Sequence, residues 1–199
     1  MMGHAGAAAA AVRYLRPVPS PVEPLPRPEL RCVRADERAP VDPAQFRRVL
    51  GTFATGVTVI TAAGPDGSPA GFACQSFCSL SLDPPLVAFM VGRTSTTWPR
   101  IARAGAFCVN VLAEEQGELC QAFAVSGADK FAGVEHDAAP VSGSPRLDGV
   151  VAWIDCAVHA VHTGGDHLVV VGRVHALGAG EPGARPLLFH RGRFTGLRD

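Results

Sequence analysis

The chain has no excess of charge of either sign: 18 Lys and Arg balance 18 Asp and Glu. That balance leaves no electrostatic footprint for nucleic acid or for an acidic membrane surface. No apolar run approaches the roughly 20 residues that cross a bilayer as a helix. The alanine-rich stretch from Ala5 to Val12 has no basic segment before it and is a poor secretory signal. No G-x-G-x-x-G opens a helix, which removes the Rossmann dinucleotide fingerprint. No G-x-S-x-G elbow appears among the many serines, and Asp166 beside His167 makes no triad by adjacency. Metal-ligand spacing is missing too. His159 and His162 would point to opposite faces of a strand, and His167 and His175 would stand roughly 26 Å apart on one. No repeat is evident.

Six cysteines are present, at 32, 74, 78, 108, 120 and 156. On a strand, Cys74 and Cys78 would lie roughly 13 Å apart, too far for a disulfide. Cys108 and Cys156 sit in apolar runs, where a thiol behaves as a small hydrophobe. Free thiols fit a reducing cytoplasm.

Apolar residues make up 47% of the chain, enough for a sizeable core. The length suits one domain with an appendage. Residues 1–41 carry that appendage: Pro17, Pro19, Pro21, Pro24, Pro26 and Pro28 interrupt any ladder or helix, and the segment either stays disordered or drapes over the domain. The domain runs over 42–199. It opens on a helix, with Asp42 as cap, Pro43 at the first position and Gly51 at the end. Phe46, Val49, Leu50 and Phe53 form its apolar stripe, and Arg47 and Arg48 its wet side.

Strands are expected over 56–63, 72–82, 86–92, 106–112, 150–161, 167–177 and 187–190, with turns at Gly64–Gly67 and Gly164–Asp166. Short helices are expected after Thr97 and over 114–123, and a Gly-, Ser- and Asp-rich loop over 125–147. Many short strands between turn signals imply a mainly β, antiparallel barrel with a few short helices. The most informative stretch is Gly71-Phe-Ala-Cys-Gln-Ser-Phe-Cys-Ser-Leu-Ser-Leu-Asp-Pro-Pro-Leu-Val87. Small side chains on an extended segment let a flat ligand approach the backbone. Hydroxyls and free N–H groups then serve a polar ring or a phosphate. Thr94 to Thr97 precede a helix, where they either cap it or meet an anion. His167 closes the Gly-Gly turn.

These pieces resemble the flavin reductase-like family with the FMN-binding split β-barrel, a Greek-key antiparallel barrel. The resemblance is carried by Phe53-Ala-Thr-Gly-Val-Thr-Val-Ile-Thr61, Ser76 to Leu86, Phe107-Cys-Val-Asn-Val-Leu112, Gly165-Asp-His167 with Gly172-Arg-Val174, and Pro186-Leu-Leu-Phe189 with Arg191-Gly-Arg-Phe194. It covers about residues 44–197. It implies an NAD(P)H-dependent flavin reductase that passes hydride from NADH or NADPH to FMN or FAD and supplies a partner monooxygenase through diffusible reduced flavin. It further implies a homodimer with flavin near the subunit interface, and no catalytic side chain, because the cofactors carry the chemistry. Carried onto this sequence, Ala73, Cys74, Gln75 and Ser76 with Ser79, Leu80 and Ser81 run beside the flavin. Val57 and Thr58 face its ring, Ser95, Thr96 and Thr97 lie near its phosphate, and Phe107 and Arg193 approach it. His167 and Asp166 sit at the nicotinamide side. The alternative within the same fold is a flavin-binding protein that stores flavin or senses redox state. A pyridoxamine phosphate oxidase relative would need a basic cluster for its substrate phosphate, which the relevant stretch lacks.

Overall fold

The computed structural model of the protein describes residues 41–127 and 129–197. Apart from Val41, the expected N-terminal extension lies outside them, as does Cys32. The first element is helix α1 (Pro43–Leu50), capped by the Asp42 carboxylate, which accepts from Gln45 N at 2.9 Å. Gly51 ends it in the right-handed region rather than the left-handed one. The expected apolar stripe exists but packs on nothing described here. Phe46, Val49 and Leu50 are each 55% exposed and Phe53 is 76% exposed.

Twelve strands follow in order: β1 (Thr55–Gly56), β2 (Thr58–Ala63), β3 (Pro69–Cys74), β4 (Phe77–Leu82), β5 (Pro85–Gly92), β6 (Ala106–Val111), β7 (His136–Ala138), β8 (Pro145–Leu147), β9 (Ala152–Gly164), β10 (His167–Ala179), β11 (Leu188–His190) and β12 (Arg193–Thr195). Helices α2 (Trp98–Ala104) and α3 (Gly117–Ala124) flank β6. The main sheet is antiparallel throughout, in the order β3-β2-β6-β9-β10-β5-β4. It curls so that the end of β3 meets β5: the Ser76 hydroxyl donates to Met90 O at 3.0 Å and accepts from Met90 N at 3.2 Å. Phe72 and Phe89 approach across the same closure, with ring centroids 6.0 Å apart.

The sequence composes these strands plainly. Val, Ile and Thr fill β2, which is buried along five of its six residues. Gly67, with φ 76°, and Asp66, whose carboxylate accepts from Ser68 N and Oγ, close the β2–β3 turn. Gly165, at φ 67°, is the first central residue of the two-residue β9–β10 hairpin, the position where a type II′ turn requires glycine. Inside the barrel, Phe107 meets Phe89 edge to face at 5.2 Å, and Phe89 meets Trp98 at 6.1 Å. A second cluster around Val59, Leu112, Phe123 and Leu187 fills the space under α3.

Three expectations need correction. The single strand over 72–82 is two strands, broken at Gln75-Ser76, because the Ser76–Met90 hydrogen bonds turn the chain from β3 onto the neighbour of β5. The loop over 125–147 contains the β7–β8 hairpin. Its backbone is held by side chains from distant strands: Asn110 Oδ1 accepts from Leu147 N at 2.8 Å, Asp155 Oδ2 accepts from Val141 N and Ser142 N at 2.8 and 3.0 Å, and the Thr61 hydroxyl donates to Pro145 O. The strand over 187–190 has a partner, β12, joined through Arg191 (φ 49°) and Gly192 (φ 79°).

Candidate functional site

The break between β3 and β4 leaves an open recess of about 440 Å³ beside the barrel closure. Its floor is the end of β3, Phe72 to Cys74, continued by Gln75 and Ser76. One wall is the end of β5 with Gly92 and the Thr94–Thr97 turn. The other is the end of α3 with Ser126 and Lys130, and His167 stands at the rim.

The geometry behind each group is local. His167 follows the β9–β10 hairpin and pairs with Gly92, so its ring lies over the end of β5. A Cβ added at Gly92 would come no closer than 4.0 Å to His167 Nε2 and Thr94 Oγ1, so this glycine leaves the recess open. His167 Nδ1 hydrogen-bonds Asp166 Oδ1 at 2.8 Å, which holds the Asp166 carboxyl below its ordinary value. That leaves Nε2 directed to the recess side. Ser95 Oγ accepts from Trp98 N at 3.2 Å and so caps α2 itself. The hydroxyls of Thr94, Thr96 and Thr97 have no hydrogen bond among the described residues. Lys130 Nζ donates to Phe123 O at 2.9 Å and Gly71 O at 3.3 Å. Burial pushes its pKa down. Those carbonyls fix the ammonium while one of its three N–H groups stays available.

Of the residues singled out in the sequence, the recess brings together Ala73, Cys74, Gln75, Ser76, Ser95, Thr96, Thr97 and His167. Three of these hydroxyls and thiols are already engaged, Ser95 by its bond from Trp98 N. The Ser76 proton goes to Met90 O, and burial pushes the Cys74 thiol up, so it stays protonated. Asp166 sits exposed at the hairpin tip. Val57, Thr58 and Phe107 are buried outside the recess. Thr58 donates to Cys74 O at 2.7 Å, which fixes the floor from beneath, and Phe107 closes over Gly172 inside the core. Ser79, Leu80 and Ser81 lie on β4, and Arg193 on β12 in the small sheet β1-β11-β12; none lines the recess in a single chain. Sequence reasoning missed Gly92, Met90, Phe123, Ser126 and Lys130. Only Lys130 carried a signal, a lone cation before Phe131 in a Gly- and Ser-rich stretch.

The donor set suits a flavin. Small side chains at Ala73, Cys74 and Gly92 leave room for a flat ring, and the hydroxyls and ammonium are donors a phosphate would accept from. Comparison with known proteins agrees. The family profile described as "Flavin reductase like domain" matches residues 50–198. The chain is 54% identical over 157 residues to the flavin-dependent monooxygenase reductase subunit HsaB of Rhodococcus jostii, covering 79% of each. It is 50% identical over 160 residues to a flavin reductase of Pseudomonas putida, covering 80% of this chain and 93% of that one. Among solved structures, the NADH:FAD oxidoreductase SgcE6 of Streptomyces globisporus, in complex with NAD and FAD fragments, superposes with a TM-score of 0.74 at 37% identity, covering 81% of this chain and 98% of that one. A homologue of nitrilotriacetate monooxygenase component B from Mycobacterium thermoresistibile gives 0.74 at 52% identity, covering 78% and 86%. A split barrel with this recess, matched by that profile over three quarters of its length, belongs to the flavin reductase-like family.

Proposed function

We propose that the protein is an NAD(P)H-dependent flavin reductase whose reduced flavin serves a separate monooxygenase component. The observation that carries this is the recess itself, flat and small-walled along β3, hydroxyl-rich at one end and bordered by His167 at the other. The flavin supplies an acceptor for hydride from a reduced nicotinamide. The chain's own residues do the positioning. The Ala73–Ser76 backbone and Gly92 admit the flavin ring, and Thr94, Thr96, Thr97 and Lys130 hold its phosphate. His167, oriented through Nδ1 by Asp166, bounds the nicotinamide so that the two rings meet at roughly 3–3.5 Å. No side chain is asked to move a proton.

The reading extends to a homodimer. The exposed apolar stripe of α1, with Leu80 and Leu82 on β4 exposed at 53% and 95%, is apolar surface that a second copy would cover. A second copy covering β4 would bring Ser79, Leu80 and Ser81 into a shared site. Among the described residues no helix is long and apolar enough to cross a membrane. The described cysteines are all free, in keeping with a reducing compartment. The test is nicotinamide oxidation by the purified protein. Loss of the nicotinamide absorbance band that depends on added flavin is the expected outcome; no loss with FMN, FAD, NADH or NADPH in any pairing contradicts the reading.

A further inference from the structure

The main sheet ends in two edge strands, β3 on one side and β4 on the other. An edge strand offers unpaired backbone N–H and C=O groups to any strand that approaches it. The register of the β2–β3 hairpin identifies these groups on β3. Gly64 N donates to Ser68 O at 2.9 Å, and from that pair the ladder alternates. Ala70, Phe72 and Cys74 therefore turn their backbone groups toward β2, while Pro69, Gly71 and Ala73 turn theirs outward. The closure onto β5 begins only at Ser76, which bonds Met90. Ahead of it the outward edge runs along an open recess of about 450 Å³, and among the described residues no strand covers it.

Two cations reach that edge from different elements. Arg100, on α2, donates from Nη2 to Pro69 O at 3.0 Å. Lys130, in the segment after α3, donates from Nζ to Gly71 O at 3.3 Å. These are the two carbonyls that the first half of β3 presents outward. Each cation is held by a second bond. Arg100 Nη2 also donates to Ser68 Oγ at 3.1 Å, whose own proton goes to Asp66 Oδ1 at 2.6 Å. Lys130 Nζ also donates to Phe123 O at 2.9 Å. Pro69 adds a third obstruction, because it has no N–H to give. Over Pro69 to Gly71 an incoming strand would meet one donor and two occupied carbonyls beside two charges. The β4 edge differs. Phe77-Cys-Ser-Leu-Ser-Leu82 has no charge and no proline, and Leu80 and Leu82 are exposed.

We propose that Arg100 and Lys130 close the β3 edge against strand addition, so that a second copy of this chain meets the sheet at β4 and not at β3. The closure is a property of the edge and holds whether or not flavin occupies the neighbouring recess.

The experiment compares the wild type, Arg100→Ala, Arg100→Lys and the Arg100→Ala, Lys130→Ala double variant, all without flavin. Sedimentation velocity over a range of concentrations reads size, and amide hydrogen exchange reads the edge. In the wild type, the Gly71 and Ala73 amides should exchange faster than those of Ala70 and Phe72. The double variant should form species larger than the wild type, in a share that rises with concentration. In those species Gly71 and Ala73 exchange should slow by about tenfold, the effect of one added hydrogen bond at each. Arg100→Ala should do the same to a smaller share, and Arg100→Lys should keep the wild-type sizes. A double variant with the wild-type size distribution overturns the proposal. So do larger species in which Gly71 and Ala73 exchange as in the wild type, and so does a wild type in which these two amides are already as slow as their neighbours. Should the double variant not fold, Arg100→Ala, which alters one exposed side chain, decides by the same two readouts.

Discussion

Two polar regions of this molecule use the same side-chain chemistry to opposite ends. Thr61, Asn110 and Asp155 stand side by side on β2, β6 and β9, each with 0% exposure. Their hydroxyl, amide and carboxylate are turned on protein backbone: Asn110 Nδ2 donates to Val59 O at 3.2 Å, Asn110 Oδ1 accepts from Leu147 N, and Asp155 accepts from Val141 N and Ser142 N. They rivet the β7–β8 hairpin to the barrel. In the recess, Thr94, Thr96 and Thr97 have no such partners among the described residues, and Lys130 is fixed at one side and open at the other. Buried polar groups that find partners specify structure. Polar groups that are oriented yet left open beside a cavity are the ones to which the proposed function gives a ligand. Composition separates neither set from the other; the bookkeeping of partners does.

That contrast breaks if the rivet proves dispensable or the recess proves structural. The largest effect is expected for Asn110→Ala, which orphans Leu147 N and weakens the hold on Pro145. Each buried group left unpaired costs about 1–3 kcal/mol, so a Tm fall of about 2–12 °C in a thermal melt is expected for a domain of this size. Flavin affinity of the surviving folded protein should stay near that of the wild type. Asp155→Ala should follow, with the hydrogen exchange of Val141 and Ser142 amides rising above that of the barrel strands. Gly172→Ala probes the core beneath the recess. A Cβ there would meet Phe107 Cζ at 2.4 Å, and overpacking a fixed core ring costs about 1–3 kcal/mol.

His167→Ala sharpens the comparison from the other side. It should leave Tm unchanged and raise KM for the reduced nicotinamide by about tenfold, the loss of one positioning contact. Flavin affinity should hold. Separate titrations of the two substrates would show it, and unchanged nicotinamide kinetics would contradict the role. The smallest effect is expected for Asp166→Asn. Its hydrogen bond with His167 holds the folded carboxyl below its ordinary value of 3.8. Its contribution is therefore present above that value and lost as pH falls through the lower folded one. The group is fully exposed, so wild type and variant should differ only slightly, and only in the acid arm of a stability-pH profile.

The parts legible in the sequence were those set by local chemistry. Gly67 after Asp66 and Gly165 before Asp166 announce their turns, because a positive φ needs glycine there. Asp42-Pro43 announces α1. What escaped was tertiary in origin. Gln75-Ser76 contains no residue that breaks a strand, and the chain turns there only because Met90 satisfies Ser76 from β5. The β7–β8 hairpin reads as a loop because its hydrogen bonds end on Thr61, Asn110 and Asp155, which are far away in sequence. The stripe on α1 was legible as periodicity, yet periodicity does not say what covers it. The recess was half legible for the same reason. Its floor is one continuous stretch, Ala73 to Ser76, while Lys130 reaches it from a loop that only the fold brings near.

The most direct test plugs the recess without touching the core. Gly92 has no positive φ, and a Cβ there would meet nothing nearer than His167 Nε2 and Thr94 Oγ1 at 4.0 Å, so Gly92→Leu can place a side chain in the recess without backbone strain. The account predicts that this variant melts within about 0.5 kcal/mol of the wild type, as for a surface change, yet loses flavin affinity by about tenfold or more, as a ring excluded from its wall would. A Gly92→Leu protein that binds FMN and FAD as tightly as the wild type would show that the flavin lies elsewhere.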